Sequence, residues 1–391
     1  MEIAIVADCF GEKNNGTSEA ATRLVAHMEK RGHKIRVVSP YKSNKPTYYT
    51  VPSRRFGIFT DYVEKKNGVI FGQPEKNTIW RAIKCADVVH FLLPFKMSKC
   101  AVELCNRHHI PHTTSFHCQP ENITTHMGLS KIKPINSLIY KYFHDSFYKK
   151  TQIIHCPSKF VDNKLKKHGF KTKNYVISNG VENMFTPSKT KKPTQFQDKF
   201  CIIMSGRYSL EKRQDLIIKA VKISKYEKDI QIICAGMGPK QKYYENLGKT
   251  LTNKPIFSFF SKQDLVKTIN FCDLYIHASD FEIEGIGCIE ALSCGIVPIL
   301  SDSKEAALYQ FALNDMNIFK SGNHKDLAKK IDYWVENPHM REKASKEYTE
   351  HMKQYEINHC MDQMETMFFD AIKLFGQRKK YNGMRFSPFP F

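Results

Sequence analysis

The start of the chain alternates between strand and helix patterns, and this alternation restricts the folds open to it. An apolar run at Ile3–Ala7 is followed by a polar loop that contains glycine. Apolar residues then recur at helical spacing between Ala21 and Met28, and His33–Val38 has the composition of a second strand. Strand, loop, helix and strand in this order predict a parallel, doubly wound α/β sheet. Ligands bind beyond the carboxyl ends of such strands, so the loop at Gly16 is either a ligand wall or a simple turn.

The length of 391 residues predicts roughly two or three domains. A second strand–helix series begins after residues 186–199, which are rich in Thr, Lys and Pro and lack periodicity, as linkers do. We therefore predict two doubly wound, Rossmann-like domains, at residues 1–185 and 200–360, that face a deep interdomain cleft. Residues 361–391 form a C-terminal helix and a basic, aromatic tail. The tail either packs on the first domain or contacts a lipid or nucleic-acid surface.

The charge balance favours a polyanionic partner. The chain carries 60 Lys and Arg residues against 39 Asp and Glu, which gives a net charge of +21. Nucleic acid, an anionic membrane face and phosphorylated substrates all fit such an excess. No RNA-binding motif is recognisable in the sequence, so a nucleic-acid-binding protein is the least favoured of the three.

The cysteines and the apolar runs predict a cytoplasmic protein. The 12 cysteines include no Cys-x-x-Cys pair, which argues against a zinc ribbon or a thioredoxin-type site and fits a reducing compartment. The chain opens directly on a strand, without a signal-peptide pattern. No apolar run approaches the ~20 residues that span a bilayer. We expect a protein that lies on a membrane at most and does not cross one.

Two carboxylates, Glu282 and Glu290, flank the start of a short predicted helix that follows a predicted strand. Gly285 can act as a hinge there, and the helix start at Ile286 and Gly287 offers free backbone N–H groups to an anion. We therefore expect a phosphate-bearing donor to sit at this turn. The alternative is an ordinary βα turn with two solvated glutamates.

A loop with two cations follows the predicted strand Phe200–Met204. Arg207 comes directly after Gly206, and Lys212 follows in the same loop. A guanidinium and an ammonium together could stabilise a diphosphate leaving group. Taken singly, each of them is an ordinary surface cation.

His117 ends the predicted strand His112–His117, at the edge where side chains reach a ligand crevice. A structural role and a functional role are both open for this histidine. The sequence has no P-loop pattern, no Asp-x-Asp pair and no His/Cys cluster with zinc spacing. We therefore predict that no metal is obligatory, and that Arg, Lys and backbone dipoles neutralise the leaving group.

Two segments interleave basic with aromatic or aliphatic residues, one at 131–150 on a predicted helix and one in the C-terminal tail. This pattern favours peripheral insertion into an anionic leaflet. The alternative for the helix is that lysine stems cover an ordinary core face. The predicted membrane or acceptor patch consists of Lys131, Lys133, Tyr140, Lys141, Phe143, Lys149, Lys150, Arg378, Lys379 and Lys380.

These motifs together resemble the family-four retaining glycosyltransferases of the GT-B fold, over essentially the whole chain. The Glu-x7-Glu element matches at Glu282 and Glu290, and the Gly-Arg-x4-Lys element matches in the loop of Arg207 and Lys212. The N-terminal loop matches at Gly16, preceded here by Asn where the family often has a second Gly, and His117 falls where the family has its active-site His. The chain departs from the family at Glu284, where Phe is common, so Glu282 and Glu284 are rivals for the sugar-facing role.

The resemblance implies a nucleotide-sugar donor on the C-terminal domain and an acceptor on the N-terminal one. It also implies retention of anomeric configuration by same-face attack, without a protein nucleophile and without a permanently bound cofactor. Carried over by position, the expected contacts are Arg207 and Lys212 with the diphosphate, Glu290 with the ribose, Glu282 with sugar hydroxyls, Phe260 with the base and His117 beside the reacting centre.

The basic, aromatic-rich first domain is similar to that of monotopic glycolipid-forming relatives. We therefore expect transfer of a hexose, from a UDP-sugar in the first instance, to a diacylglycerol- or ceramide-like lipid at the cytoplasmic leaflet. Three alternatives stay open at this point. They are a glycosyltransferase of polysaccharide, capsule or lipopolysaccharide assembly, a sugar-nucleotide epimerase of the same fold, and a basic nucleic-acid-binding protein.

Overall fold

The computed structural model describes residues 1–11, 16–53, 70–126 and 133–385. The chain divides into two compact units, and each is built on its own parallel sheet. The first unit comprises residues 1–179 and 360–391, and the second comprises residues 180–359. The predicted class, two doubly wound α/β domains, is confirmed.

The first unit has a seven-stranded sheet in the order β3-β2-β1-β4-β5-β6-β7, with a helix between most strands that follow one another in the chain. All the neighbouring strands are parallel. The elements are β1 (Glu2–Val6), α1 (Gly16–Lys30), β2 (Lys34–Ser39), β3 (Tyr48–Thr50), α2 (Lys76–Ile83), β4 (Val88–Phe91), α3 (Lys96–Arg107), β5 (His112–Ser115), α4 (Pro120–His126), α5 (Lys133–Ser146), β6 (Ile153–Cys156), α6 (Lys159–Lys167) and β7 (Lys173–Val176).

The second unit has a six-stranded parallel sheet in the order β10-β9-β8-β11-β12-β13. Its elements are β8 (Phe200–Ser205), α7 (Gln214–Lys222), β9 (Ile230–Ala235), α8 (Gln241–Gly248), β10 (Ile256–Ser258), α9 (Lys262–Phe271), β11 (Leu274–His277), α10 (Ile286–Ser293), β12 (Pro298–Ser301), β13 (Ile318–Phe319), α11 (His324–Glu336) and α12 (Pro338–His351). A last helix, α13 (Ile357–Arg385), begins in this unit and continues in the first.

The central strands are buried on both faces, which explains why they appear as continuous apolar runs. Every residue of β4, β9 and β11 is buried. In a parallel sheet all the carboxyl ends meet at one edge, so the loops after these strands gather there. Each chain segment that leaves this edge is therefore a candidate ligand wall.

Residues 180–185, which the sequence analysis assigned to the first domain, pack with the second unit. Val181 and Phe185 belong to its apolar core. Val181 also donates its N–H to the Tyr355 carbonyl at 2.8 Å and accepts from the Ile357 N–H at 3.0 Å. These backbone hydrogen bonds fix the segment beside the end of the second unit.

Helix α13 packs on the first unit. Phe368 is fully buried, with its ring centroid 5.5 Å from that of His90. Salt bridges also attach the helix to the first unit. Arg31 binds Asp362 at 2.5 Å and Glu365 at 3.1 Å. Lys173 binds Asp370 at 3.2 Å. The predicted patch residues Arg378, Lys379 and Lys380 belong to the last turns of this helix, and their side chains lie outside the described set. No helix within the described ranges is long and apolar enough to span a bilayer.

Replacing Phe368 by Ala tests this packing, because the neighbouring Phe369 is 52% exposed and serves as a matched control. Phe368→Ala removes a buried ring and should cost about 3–5 kcal/mol of stability in the first unit. Phe369→Ala should change it by about 0.5 kcal/mol or less. Hydrogen exchange in β1 and β4 peptides is the measurement. Equal protection in the two variants would contradict the packing of α13 on this sheet.

Candidate active site

The second sheet reverses its direction of winding between β8 and β11. From β8 the chain proceeds through β9 to β10 on one side, and from β11 through β12 to β13 on the other. Such a switch point opens a crevice at the carboxyl ends of the two central strands, where ligands bind in doubly wound folds. The loop after β8 carries Arg207 and Lys212, and the loop after β11 carries Glu282. The structure therefore brings these three predicted residues to one crevice.

An ion pair joins the two loops. The Lys212 Nζ hydrogen-bonds Glu282 Oε2, and the His277 Nε2 lies 3.1 Å from the same oxygen. Burial raises the pKa of Glu282, but Lys212 and His277 outweigh burial and lower that pKa to about 2. Glu282 is therefore a carboxylate at neutral pH. Its side chain is 16% exposed and so still reaches solvent.

A chain of polar side chains continues behind His277. The His277 Nδ1 lies 2.8 Å from the Tyr275 hydroxyl, which is 3.3 Å from Ser205 Oγ. Ser205 in turn donates to the Gly287 carbonyl at 3.2 Å. His277 and Tyr275 were not predicted as site residues from the sequence. The signal that could have marked His277 is its position at the carboxyl end of a central strand, which is also what singled out His117.

The start of α10 requires glycine twice. Gly285 has φ of +89°, and a Cβ there would meet the Leu308 side chain at 2.9 Å. A Cβ on Gly287 would lie 2.5 Å from Ser205 Oγ. The backbone of this turn therefore packs directly against the polar chain, and the first N–H groups of α10, at Ile286 and Gly287, have no partner within the helix.

The three acidic residues of this stretch lie in different surroundings. Glu284 and Glu290 are both buried in the second unit. Glu282 instead takes part in a backbone bridge with Ala306, accepts at its carbonyl from the Ala307 N–H at 2.9 Å, and carries the ion pair to Lys212. Glu282 is thus a carboxylate of this stretch that meets a cation of the β8 loop.

The guanidinium of Arg207 is only partly buried, and within the described ranges it forms no salt bridge. Burial lowers the pKa of Arg207 and the nearby Glu211 raises it, while the group stays cationic. Arg213, in the same loop, is already paired with Asp215 at 3.0 Å and Asp280 at 3.2 Å. Arg207 is therefore the arginine of this loop that is available to an anionic ligand.

A glycine turn after β9 supports the Arg207 loop. A Cβ on Gly236 would lie 2.1 Å from the Gly206 carbonyl oxygen, and one on Gly238 would lie 2.4 Å from that of Tyr208. The two loops therefore touch backbone to backbone, which only glycine allows. Phe260, the predicted base contact, follows β10, is partly buried and packs against the apolar core of the second unit.

His117 and Gly16 belong to the first unit. His117 lines a cavity there with Leu24, His155 and Met364, and its ring centroid lies 5.8 Å from that of His155. Burial and His155 lower the pKa of His117 to about 3, so the imidazole is neutral at physiological pH. Gly16 begins α1 and is exposed, with no described atom within 4 Å of a Cβ placed on it.

The neighbours of His117 form a chain of hydrogen bonds in which each donor and each acceptor can be assigned. The His155 Nε2–H donates to the Ile177 carbonyl at 2.7 Å, so its Nδ1 accepts from Ser115 Oγ at 2.8 Å. Ser115 then accepts from the His90 Nε2–H at 2.8 Å, and the His90 Nδ1 accepts from Thr113 Oγ1 at 2.7 Å. Both histidines are neutral in this arrangement, in line with the lowering of each pKa by burial.

The predicted membrane patch needs correction at two aromatic residues. Tyr140 is fully buried: its ring stacks on that of His168 at 3.9 Å and its hydroxyl donates to Glu121 at 3.1 Å. Phe143 is buried as well. Both residues face the core because helical periodicity, which composition alone does not resolve, turns them away from the lysines.

The remaining residues of this patch differ in their surroundings. Lys141 and Lys149 are exposed, whereas Lys150 pairs with Glu103 at 2.9 Å. Lys131 lies outside the described residues, and so does the side chain of Lys133. The large apolar side chains exposed on the described part of α5 are Leu138, at 66%, and Tyr142, at 59%.

Family profiles cover most of the chain. The profile described as Glycosyltransferase Family 4 matches residues 14–183, and the profile described as Glycosyl transferases group 1 matches residues 186–351. The chain belongs to the GT-B glycosyltransferases. The resemblance drawn from the motifs is thus confirmed at the level of family and fold.

Several individual glycosyltransferases are similar to this one. The uncharacterized glycosyltransferase YqgM of Bacillus subtilis is 26% identical over 119 residues, which span 29% of this chain and 33% of that protein. The GDP-mannose-dependent alpha-mannosyltransferase of Corynebacterium glutamicum is 22% identical over 311 residues, 76% of this chain and 72% of its own. The structure of Anabaena HepE with UDP and glucose is 14% identical, with a TM-score of 0.73 over 95% of this chain and 100% of its own. The catalytic domain of the cholesterol-alpha-glucosyltransferase of Helicobacter pylori is 43% identical over 40% of this chain and 98% of its own, with a TM-score of 0.39.

The rivalry between Glu282 and Glu284 can be resolved by two matched substitutions in this glycosyltransferase. Glu282→Gln removes the charge that pairs with Lys212 and should lower kcat/KM for sugar transfer by about 10- to 100-fold, the range expected for one charged hydrogen bond. Glu284→Gln should lower kcat/KM by less than about threefold once the variant is folded, a threshold below the range for a charged contact. Steady-state kinetics with melting temperatures as the folding control decide the matter, and a larger loss from Glu284→Gln would reverse the assignment.

Proposed function

We propose that this glycosyltransferase moves a hexose from a nucleotide sugar, in the first instance a UDP-sugar, to the hydroxyl of a membrane lipid of the diacylglycerol or ceramide kind, with retention of anomeric configuration. The observation that carries the donor half of the proposal is the available guanidinium of Arg207 in the same loop as Lys212, which pairs with Glu282. A diphosphate needs two cations, and a sugar offers hydroxyl donors to a carboxylate. All three groups lie at the switch point of the second sheet.

The leaving diphosphate would meet Arg207, Lys212 and the free N–H groups at the start of α10. Charge builds on the phosphate oxygen as its bond to the sugar C1 breaks, and fixed donors stabilise that charge without reorganising. The acceptor oxygen forms its bond to C1 on the same face, and the acceptor proton passes to the departing phosphate oxygen. We propose Glu282 for the sugar hydroxyls, Glu290 for the ribose and Phe260 for the base.

His117 is proposed to hydrogen-bond the substrate as a neutral imidazole. Burial and His155 lower its pKa to about 3, which favours the neutral ring at physiological pH. A neutral ring offers one donor and one acceptor nitrogen, which suits a sugar or acceptor hydroxyl. Gly16 is proposed as part of the same ligand wall in the first unit.

The lipid half of the proposal rests on the exposed side of α5. Leu138 and Tyr142 are two large apolar side chains of this helix that are exposed to solvent, and lysines lie close to them. The Lys99 Nζ lies 3.0 Å from the Tyr142 hydroxyl and 4.2 Å from its ring centroid, and Lys141 is exposed on the same helix. Each basic residue near an anionic surface adds about 1 kcal/mol of attraction. We propose that this face docks on the anionic cytoplasmic leaflet of the cell membrane.

A panel of radiolabelled UDP- and GDP-hexoses, offered with lipid acceptors in anionic vesicles, tests the proposal. Diacylglycerol, ceramide and cholesterol form the lipid arm, a soluble oligosaccharide forms the other, and each assay is run with and without EDTA. We expect transfer to a lipid, unaffected by EDTA, with the anomeric configuration of the donor kept in the product as read by NMR coupling constants. Transfer to the oligosaccharide alone, or donor turnover without any acceptor, would reject the lipid proposal in favour of glycan assembly or epimerisation.

The same assay contains a matched test of membrane docking. Leu138→Glu places a charge in the exposed apolar face and should lower transfer to vesicle-embedded lipid by about tenfold, since one such change costs roughly 1–2 kcal/mol at an interface. Transfer to detergent-dispersed lipid should stay unchanged. Ile223→Glu, at an exposed position of the second unit (51%), is the control and should not alter either rate. Equal effects of the two variants would contradict docking through α5.

A further inference from the structure

We infer that His277, oriented by Tyr275 behind it, is a positioning residue that fixes one oxygen of Glu282 so that the other is presented to a hydroxyl of the donor sugar. The inference rests on the role proposed above for Glu282 and adds the residues that hold it. His277 is almost completely buried, and together with Lys212 it hydrogen-bonds the carboxylate of Glu282.

The donors and acceptors of this chain allow one consistent arrangement of protons. A carboxylate oxygen only accepts, so the His277 Nε2 that faces Glu282 carries the proton. Burial lowers the pKa of His277 and, together with Lys212, outweighs the raising effect of Glu282, so the imidazole is neutral and its Nδ1 carries no proton. The Tyr275 hydroxyl therefore donates to that Nδ1 at 2.8 Å. Burial raises the pKa of Tyr275 well above its usual value, which keeps the hydroxyl proton in place.

The two oxygens of Glu282 are used differently. Oε2 takes both Lys212 and His277, whereas Oε1 has no hydrogen-bond partner among the described residues. A carboxylate with one oxygen held and one open accepts a ligand hydroxyl in a defined direction. When Lys212 turns toward a bound diphosphate, His277 is the contact that keeps Oε2 in place.

The polar contacts behind His277 extend to α10, the helix whose first N–H groups are proposed to bind the phosphate. Tyr275 meets Ser205 of β8, and Ser205 bonds the Gly287 carbonyl in the first turn of α10. Because any side chain at position 287 would collide with Ser205, α10 starts in contact with the polar chain. The carboxylate for the sugar and the N–H groups for the phosphate are thereby set at a fixed separation.

Two substitutions at His277 distinguish a residue that positions Glu282 by a hydrogen bond from one that only fills space in the core. Glutamine carries an amide N–H where Nε2 stands and can still donate to Glu282, whereas the shorter asparagine reaches only the Nδ1 position. We expect His277→Gln to keep kcat/KM for the donor within about threefold of wild type and His277→Asn to lower it about 10- to 100-fold, as for a lost charged hydrogen bond. The kcat/KM of Tyr275→Phe should lie between those of the two His277 variants, because the Tyr275 hydroxyl no longer fixes the tautomer of His277.

The pH profile provides a readout that a purely structural role would not move. His277 lowers the pKa of Glu282, so its loss raises that pKa and shifts the acidic limb of kcat/KM to higher pH in His277→Asn, but not in His277→Gln. Melting temperatures of the two variants control for folding. Equal losses in both variants without a shift of the acidic limb would overturn the inference.

Nitrogen-15 NMR of the ligand-free protein, with His277 assigned by its absence in His277→Gln, tests the proton arrangement without any sugar transfer. The expected spectrum is that of a neutral ring protonated at Nε2. A ring protonated at Nδ1, or an imidazolium, would overturn the inference whatever the activity. Absence of transfer from every donor, with the Nε2–H ring present, would instead reject the proposed function and leave the hydrogen-bonded chain intact.

Discussion

The contact between Lys212 and Glu282 is the interaction on which the rest of the site depends. The two residues follow β8 and β11, the central strands between which the second sheet reverses, so their pairing ties together the two loops of the crevice. Both side chains are largely withdrawn from water, and each would be costly alone; loss of either partner leaves an uncompensated charge. His277 also hydrogen-bonds the carboxylate, and we propose that it holds Glu282 when Lys212 binds a diphosphate. Opposite charges thus meet at the switch point, between the two loops that border the crevice.

Much of the fold follows from the sequence because the central strands are buried on both faces and appear as unbroken apolar runs. The predicted strands Ile3–Ala7, His33–Val38, His112–His117 and Phe200–Met204 are confirmed as β1, β2, β5 and β8, although β5 ends at Ser115. Strands β3 and β13 were not predicted, since segments of three and two residues are too short to show a period. Tyr140 was misassigned for a related reason: the order of basic and aromatic residues does not reveal which face of α5 meets the core.

The site was predictable where a residue type and a strand end coincide, and not where a role depends on which side chains the fold brings into contact. Arg207 and Arg213 lie in one loop and look alike, yet only contacts with Asp215 and Asp280 show that Arg213 is already occupied. His277 acquires its role from Glu282, on the loop that follows it, and from Tyr275 on its own strand. Such a role depends on tautomer and direction, which spacing alone does not contain.

The central claim is that the β8 loop of this glycosyltransferase binds the diphosphate of a nucleotide sugar through Arg207. The most direct measurement is calorimetric titration of UDP and GDP into the wild type, Arg207→Gln and Lys254→Gln, the last of which removes one exposed positive charge near the amino end of β10. The account predicts that Arg207→Gln weakens binding of the preferred diphosphate by about 10- to 100-fold and that Lys254→Gln leaves it unchanged. Equal affinities in all three proteins would contradict the claim.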